Sequence, residues 1–307
     1  MDIFLQQIIN GLVQGSVYSM VALGYTMVYG ILGLINFAHG EIVMIGAMVA
    51  LSVIQLLTGA GFPIFFILLI SLMLSMIVCM ILGYSMERIA YRPLRNAPRL
   101  APLITAIGLS IVLQTLAMMF WGREYHSFPL LFTNDSVHIA GAVITEVQII
   151  IITVALVMMG GLLILVHRTR LGRAMRAVAE NPSAAALMGV NSNSVISITF
   201  VLGSALAAVA GIMVSANYGI AHYLMGAMLG LKAFTAAVLG GIGNLRGAML
   251  GGLLLGLIES LGAGYIGDLS GGFLGSHYQD VFAFFVLIAV LIFRPSGLLG
   301  ERIAERA

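Results

Sequence analysis

Long apolar stretches alternate with short polar segments along almost the whole chain. Nine stretches approach the length of about 20 residues that an α-helix needs to cross a bilayer. They lie at about 8–30, 41–58, 62–87, 101–120, 147–166, 195–216, 226–243, 247–264 and 278–294. This pattern predicts an all-α integral membrane protein, a polytopic bundle of eight or nine transmembrane helices that forms a single domain over residues 1–307.

The composition excludes a soluble protein. Hydrophobic residues make up 61% of the chain and charged residues only 8%, whereas roughly 25% of the residues of a soluble domain are charged. The lipid bilayer is therefore the expected environment. The single cysteine, Cys79, allows neither a disulfide framework nor a cysteine metal site.

The basic residues indicate how the helices are oriented. Eleven of the fourteen Lys and Arg residues fall into three clusters that each follow an apolar stretch: Arg88, Arg92, Arg95 and Arg99; Arg168, Arg170, Arg173 and Arg176; Arg294, Arg302 and Arg306. Short basic loops remain on the cytoplasmic side of a membrane. An even number of stretches separates successive clusters, as three clusters on one side require. We therefore expect the N-terminus outside, the C-terminus in the cytoplasm, and no nucleic-acid surface.

Small residues recur at four-residue spacing in several segments. The runs are Gly203/Ala207/Gly211, Gly243/Gly247/Gly251 and Gly252/Gly256/Ser260/Gly264. Small residues on one face let helix backbones approach closely. We favour tight packing inside one subunit, and a glycine-lined homodimer seam is the alternative.

Two segments indicate broken or re-entrant membrane structure, at residues 30–41 and 239–247. They share a Gly-x-x-Asn pattern, at Gly33 to Asn36 and at Gly241 to Asn244, which is a weak sign of internal duplication. Irregular backbone at membrane depth is tolerated only beside protein or a water-filled path, and paired interruptions point to a transport route. Ordinary turns between antiparallel helices are the alternative.

Polar side chains line one face of the first predicted helix. They are Asn10, Gln14, Tyr18, Tyr25 and Tyr29, which recur at helical spacing. This face either contacts neighbouring helices or borders an aqueous pathway, and the residues alone leave both open. The pathway candidates are Gln14, Tyr18, Tyr25 and Tyr29, together with Asn36 and Asn244 at the interruptions.

His39 and Glu41 stand beside the first interruption and complete the pathway candidates. Ionisable residues within a membrane are functional hypotheses by default. The predicted orientation places both near the inner interface, where their charge could reach water, so a purely structural role is the alternative. Two such residues are too few for a metal site, and we predict no metal.

Lys232 and Glu259 are the charges well inside the last four segments. They lie at similar distances before and after the turn near Asn244, so antiparallel neighbouring helices would place them at matching depth. An unpaired charge there would cost about 2.5–3.5 kcal/mol. We predict an ion pair that stabilises this hairpin and is structural rather than substrate-binding.

The longest informative polar loop covers residues 167–194. Arg173–Glu180 can form an amphipathic helix, Asn181–Pro182 is typical of a helix start, and Gly189 is typical of the end of a second short helix. Leu187–Met188 would give this second helix an apolar tip suited to the groove of another protein. A plain connector is the alternative.

The chain lacks motifs of catalysis. No Gly-x-x-x-x-Gly-Lys-Ser/Thr loop is present, since Lys232 is the single lysine, and neither a Gly-x-Ser-x-Gly nor a His-Glu-x-x-His motif occurs. We therefore expect a transport subunit rather than an enzyme, with no cofactor bound by this chain. Its energy must come from an ion gradient or a partner.

Four segments together resemble a known family. Gly24–Glu41, Glu87–Arg95, Leu171–Gly189 and Lys232–Asn244 are similar to the permeases of bacterial branched-chain amino acid ABC transporters, the LivH-like subunits. The resemblance runs over most of the chain. Asn36, His39 and Glu41 match the first signature of the family, but no individual role transfers to them.

This resemblance implies a binding-protein-dependent importer in the bacterial inner membrane. A second permease would share the membrane path, two ABC ATPase subunits would use ATP, and a periplasmic substrate-binding protein would deliver the ligand. In such importers a cytoplasmic coupling helix docks on the ATPase, a role that falls here to the 167–194 loop. The candidates are Arg173, Arg176, Glu180, Asn181, Ala184, Ala185 and Gly189.

Two other function classes remain as alternatives. A stand-alone proton-coupled secondary transporter would use His39 and Glu41 as a relay, and its transport would collapse with the proton gradient. An intramembrane enzyme would need a convergent nucleophile and base, which are not visible. The sequence does not choose between leucine, isoleucine or valine and urea, short amides or other amino acids as substrate.

Overall fold

A computed structural model describes residues 2–95, 97–98, 100–129, 136–139, 141–269 and 278–300. The helices in these ranges are α1 Asp2–Leu32, α2 His39–Gly59, α3 Ile64–Ser85, α4 Leu100–Trp121, α5 Glu146–Arg168, α6 Arg170–Glu180, α7 Pro182–Leu187, α8 Ser192–Tyr218, α9 Met225–Gly240, α10 Leu245–Leu269 and α11 Gln279–Phe293. A π-helical turn, Met86–Tyr91, and a 3-10 turn, Arg92–Leu94, extend α3. The prediction of an all-α membrane fold is confirmed.

Each of the nine predicted stretches corresponds to one helix. Among the described residues, seven helical spans are long and apolar enough to cross a membrane: Ile3–Leu32, His39–Gly59, Ile64–Leu94, Leu100–Trp121, Glu146–Arg168, Ser192–Tyr218 and Leu245–Tyr265. Helices α9 and α11 are apolar but shorter. The 16 residues of α9 extend for about 24 Å, less than the ~30 Å of a hydrocarbon core. The chain is a multi-pass membrane protein, and the expected sides of its termini stay a prediction.

Among the residues that the structure describes, four short strands form two antiparallel ribbons. They are β1 His126–Ser127 with β4 Ile220–Ala221, and β2 Ser136–Ile139 with β3 Ala142–Thr145. In the first ribbon His126 lies opposite Ala221. The side-chain amide of Gln6 binds β3 as a strand would, because it donates to the Val143 oxygen at 3.0 Å and accepts from the Val143 nitrogen at 2.8 Å. The first turns of α1 are thus fixed to this ribbon.

The chain divides into two compact units. The first, here the α10 unit, contains the described residues within Met1–Thr26, Phe132–Val157 and Lys232–Ala307. The second, here the α8 unit, contains those within Met27–Leu131 and Met158–Leu231. That the two units act as one permease domain over residues 1–307 stays a prediction. Arg99, Arg302 and Arg306 of the predicted basic clusters lie outside the described residues.

Glycines allow close contacts between helices within each unit. At three of them, an added methyl group would overlap the backbone of the neighbouring helix. The contacts are Gly256 with Gly15 and Gly247 with Gly240 in the α10 unit, and Gly211 with Val43 in the α8 unit. The prediction that the small-residue faces pack inside one subunit is confirmed for these positions.

Candidate functional site

The predicted interruption after α1 is present. Gly33 adopts a left-handed φ of 64°, which glycine tolerates without strain, and the chain is not helical again until His39. Within this break Asn36 is buried, and its Oδ1 accepts a hydrogen bond of 2.6 Å from the hydroxyl of Tyr91. The break is therefore pinned to the end of α3.

Glu41 lies in the first turn of α2 and is only 1% exposed. Its Oε1 accepts hydrogen bonds from Ser110 Oγ at 3.0 Å and from Gln114 Nε2 at 2.8 Å. Both donors stand near the middle of the 22-residue helix α4. The expectation that Glu41 lies near an interface, where its charge reaches water, is wrong. Helix α2 begins beside the middle of α4, so the interruption does not mark a membrane surface.

Helix α9 begins beside the start of α2, within the α8 unit. Gly40 of α2 packs against Gly226 and Gly230 of α9, and a methyl group on Gly40 would overlap the Gly226 carbonyl. A methyl group on Gly226 would lie 2.7 Å from Glu41 Oε2. This oxygen has no hydrogen-bond partner among the described residues. It lies beside the first turn of α9, where the helix dipole is positive.

The interruption after α9 has a different structure. Gly241 and Gly243 adopt φ values of 108° and 94°, and α10 turns back antiparallel to α9. Asn244 Oδ1 accepts from the Gly247 nitrogen at 3.2 Å, and its Nδ2 donates to the Leu299 oxygen at 2.9 Å. Asn244 thus caps α10 and holds the segment after α11. This is an ordinary turn, and a pathway role for Asn244 stays a prediction.

The two charges expected to pair lie in contact in the α10 unit. Lys232 Nζ is 3.1 Å from Glu259 Oε2, across the antiparallel pair α9 and α10. The sequence did not anticipate two further partners. Asp280 Oδ1 lies 2.7 Å from the same ammonium, and the Tyr18 hydroxyl donates to Glu259 Oε2 at 2.7 Å. That the network stabilises the hairpin stays a prediction.

The polar face of α1 contains residues in different environments. Tyr18 and Tyr25 are buried, and the Tyr25 ring lies 6.1 Å from that of Phe234. Gln14 and Tyr29 are partly exposed. Contact with neighbouring helices, one of the two alternatives, accounts for Tyr18 and Tyr25. The pathway role of the four residues stays a prediction.

The 167–194 loop folds as its sequence predicts. The side chain of Asn181 accepts from the Ala184 nitrogen at 3.0 Å and so caps α7, while Gly189 ends it with a φ of 82°. Met175 and Val178 bury the apolar face of α6. The following tip is uncovered within the chain, because Leu187 is 89% and Met188 86% exposed.

Two of the predicted coupling residues instead contact their own chain. Ala185 is buried, contrary to its predicted place on a docking surface, since one face of α7 lies against the chain. Arg176 Nη1 donates to the Val166 carbonyl and so fixes α6 to the end of α5. Arg176 is nevertheless exposed, and so are the remaining candidates: Arg173, Glu180, Asn181, Ala184 and Gly189.

Sequence reasoning missed a charged network where α3 ends and α8 begins. The carboxylate of Glu87 is fully buried and binds Arg92 Nη2 at 3.0 Å, the Ser197 hydroxyl at 2.7 Å, and Arg95. Burial lowers the pKa of the Arg95 guanidinium, and the Glu87 carboxylate opposes this effect. The sequence feature that could have indicated this network is a single acidic residue, Glu87, within an arginine-rich segment.

The polar partners of Glu41 were also missed, although Ser110 and Gln114 stand four residues apart in an apolar helix. Among the described residues, no three His, Cys, Asp or Glu side chains converge as metal ligands. The buried carboxylates of Glu41, Glu87 and Glu259 instead accept hydrogen bonds from neighbouring side chains.

Comparisons with known proteins agree on one family. The family model described as branched-chain amino acid transport system / permease component matches residues 7–291. The high-affinity branched-chain amino acid transport system permease protein BraD of Pseudomonas aeruginosa is 48% identical over 308 residues, which cover 99% of this chain and 98% of BraD. The LivH permease proteins of Salmonella typhimurium and Escherichia coli K12 are each 44% identical over 308 residues, covering 99% of this chain and 97% of LivH.

The match extends over nearly the full length of both partners, and it includes the helices, the buried Glu41 site and the exposed α6–α7 loop. The chain belongs to the family of permease components of branched-chain amino acid transport systems.

Proposed function

We propose that the chain is the membrane-spanning permease subunit of an ATP-driven ABC importer that moves branched-chain or related amino acids across the bacterial inner membrane. The names of the relatives support the substrate class. In the proposed orientation the N-terminus is outside, and the 167–194 loop and the C-terminus are cytoplasmic, in accordance with the arginine clusters.

The exposed tip of α7 is the observation that carries this proposal. Leu187 and Met188 are almost fully exposed, yet they stand on a turn that is fixed by an N-cap, a left-handed glycine and buried contacts. A well-ordered apolar tip is suited to a groove in a partner. We assign it to docking on an ABC ATPase, with Glu180, Asn181, Ala184 and Gly189 around it.

The remaining partners follow from the same assignment. A second permease completes the membrane path, two ATPase subunits use ATP, and a periplasmic substrate-binding protein delivers the amino acid. ATP binding shifts the permease between orientations only through contacts that differ between the two states. The α6–α7 loop is where such contacts would act, and this chain binds no nucleotide itself.

A membrane route through the permease would use its buried ionisable site. Irregular backbone at membrane depth is tolerated beside protein or water, and helix starts near the membrane centre are typical of transport sites. The starts of α2 and α9 meet at Gly40 and Gly226 beside Glu41. We place Glu41 on or next to the route of the substrate.

Charge reversal at Glu180 tests the docking assignment. We expect Glu180→Lys to abolish leucine uptake while the chain still inserts, because the reversed charge lies beside the docking tip. Uptake of labelled leucine and the amount of co-purified ATPase are measured together. Glu124→Lys, on the exposed loop after α4, is the matched charge reversal and should retain the ATPase. Unchanged uptake in Glu180→Lys would overturn the assignment.

A further inference from the structure

A cleft of about 420 Å³ opens in the α8 unit where α3 ends and α8 begins. Its polar end contains Arg88 and Arg92 of the α3 extension, with Asn193 and Ser194 in the first turn of α8. The dipole of the 27-residue helix α8 adds positive potential at this end. Donors and positive charge therefore dominate this part of the cleft.

The charges around the cleft do not balance. Glu87 is buried and already binds Arg92, Arg95 and Ser197. Arg88 has no carboxylate partner among the described ion pairs, and its guanidinium bonds to the Tyr84 hydroxyl at 2.6 Å. Arginine pairs with phosphate groups through parallel hydrogen bonds. The excess of positive charge is what an anionic ligand would neutralise.

The other end of the cleft is apolar. Tyr84 stands one turn before Arg88, while Ile198 and Val201 follow the polar first turn of α8. Tyr84 and Ile198 are exposed at the surface of membrane-crossing helices, where acyl chains would contact them. A free phosphate would use only the polar end, whereas a phospholipid would contact both ends.

We propose that this cleft binds an anionic phospholipid, with its phosphate beside Arg88 and Arg92 and an acyl chain along Tyr84 and Ile198. Basic pockets between transmembrane helices are suited to anionic headgroups. The site is separate from the proposed docking tip and from Glu41, so it goes beyond the transport function proposed above.

Lipid retention by the purified transporter tests this site. The chain is purified with the subunits that accompany it, delipidated, and titrated with phosphatidylglycerol in phosphatidylcholine nanodiscs; native mass spectrometry then counts bound phosphatidylglycerol. We expect Arg88→Gln to weaken binding about fivefold, the effect of one basic residue near a lipid surface. Arg170→Gln removes an exposed arginine outside the cleft and should bind as the unaltered chain does.

A second variant protects the test against misfolding. Ser194→Glu places an acidic side chain in the first turn of α8, where it is favourable for the helix, and should also reduce phosphatidylglycerol binding. Equal binding by Arg88→Gln and Arg170→Gln would overturn the proposal. Displacement by millimolar inorganic phosphate would identify a free anion as the ligand. Binding by the isolated chain but not by the complex would identify a subunit as the occupant.

Discussion

Each unit buries a carboxylate inside a membrane-length helix, Glu259 in α10 and Glu41 in α2, and the two carboxylates have different partners. Glu259 of the α10 unit is 2% exposed and contacts the ammonium of Lys232. Glu41 of the α8 unit is as deeply buried, but its described hydrogen bonds come only from Ser110 and Gln114, which are neutral. We expect a structural role for a charge that is neutralised within the chain. A buried acid without a described cation partner is instead a candidate for transport.

The largest expected loss of stability comes from breaking the network of Lys232, Glu259 and Asp280. Lys232→Ala leaves Glu259 and Asp280 without their cation, and breaking a buried pair costs about 3–5 kcal/mol. Glu259→Ala should cost less, because Lys232 keeps Asp280 at 2.7 Å. The measurement is thermal unfolding of the detergent-purified chain.

The double variant Lys232→Ala/Glu259→Ala separates pairing from general damage. We expect it to lose less stability than the sum of the two single variants, since no unpaired Glu259 carboxylate remains and only Asp280 lacks its cation. Additive losses of stability would show that Lys232 and Glu259 do not stabilise each other.

A smaller loss of stability is expected from a substitution at Gly40, where the starts of α2 and α9 meet beside Glu41. Gly40→Ala would force α2 away from the Gly226 carbonyl, and overpacking typically costs about 1–3 kcal/mol. Gly108→Ala in α4 is the matched control, because nothing lies within 4 Å of its added methyl group. Equal unfolding temperatures for the two variants would show that the contact at Gly40 is loose.

The smallest expected change in stability is that of Glu41→Gln. The amide oxygen can still accept from Ser110 and Gln114, so the free energy of unfolding should change by less than about 1 kcal/mol. We expect leucine uptake per folded transporter to fall nevertheless, because the ionisable group is lost. Full leucine uptake by the Glu41→Gln variant would show that Glu41 lies outside the transport route.

Residue counting predicted the Lys232–Glu259 pair but not the site around Glu41. Lys232 and Glu259 flank a turn at similar distances, and antiparallel helices convert equal distances into equal depth. The depth of Glu41 was misjudged because the predicted orientation of the helices placed the start of the second helix near the inner interface. Asp280 could not be foreseen, since its contact depends on where α11 packs.

The two Gly-x-x-Asn segments show why a local pattern is insufficient. The Oδ1 of Asn244 accepts from the helix that it starts and so acts through neighbouring residues, as capping residues do, while its Nδ2 reaches the distant Leu299. Asn36 bonds instead to Tyr91, which is distant in sequence. The cap of α7 by Asn181 was predictable for the same reason that Asn244 is a cap, because both act locally. Tertiary partners such as Tyr91, Ser110 and Gln114 require the packing of helices that the pattern does not specify.

Subunit composition tests the central claim most directly. The tagged chain is purified gently from its native membrane, and the proteins that accompany it are identified by mass spectrometry. We predict recovery of a second permease and P-loop ATPase subunits, with uptake that depends on ATP. Recovery of the chain alone, together with uptake that collapses when the proton gradient is removed, would contradict the claim and indicate a secondary transporter.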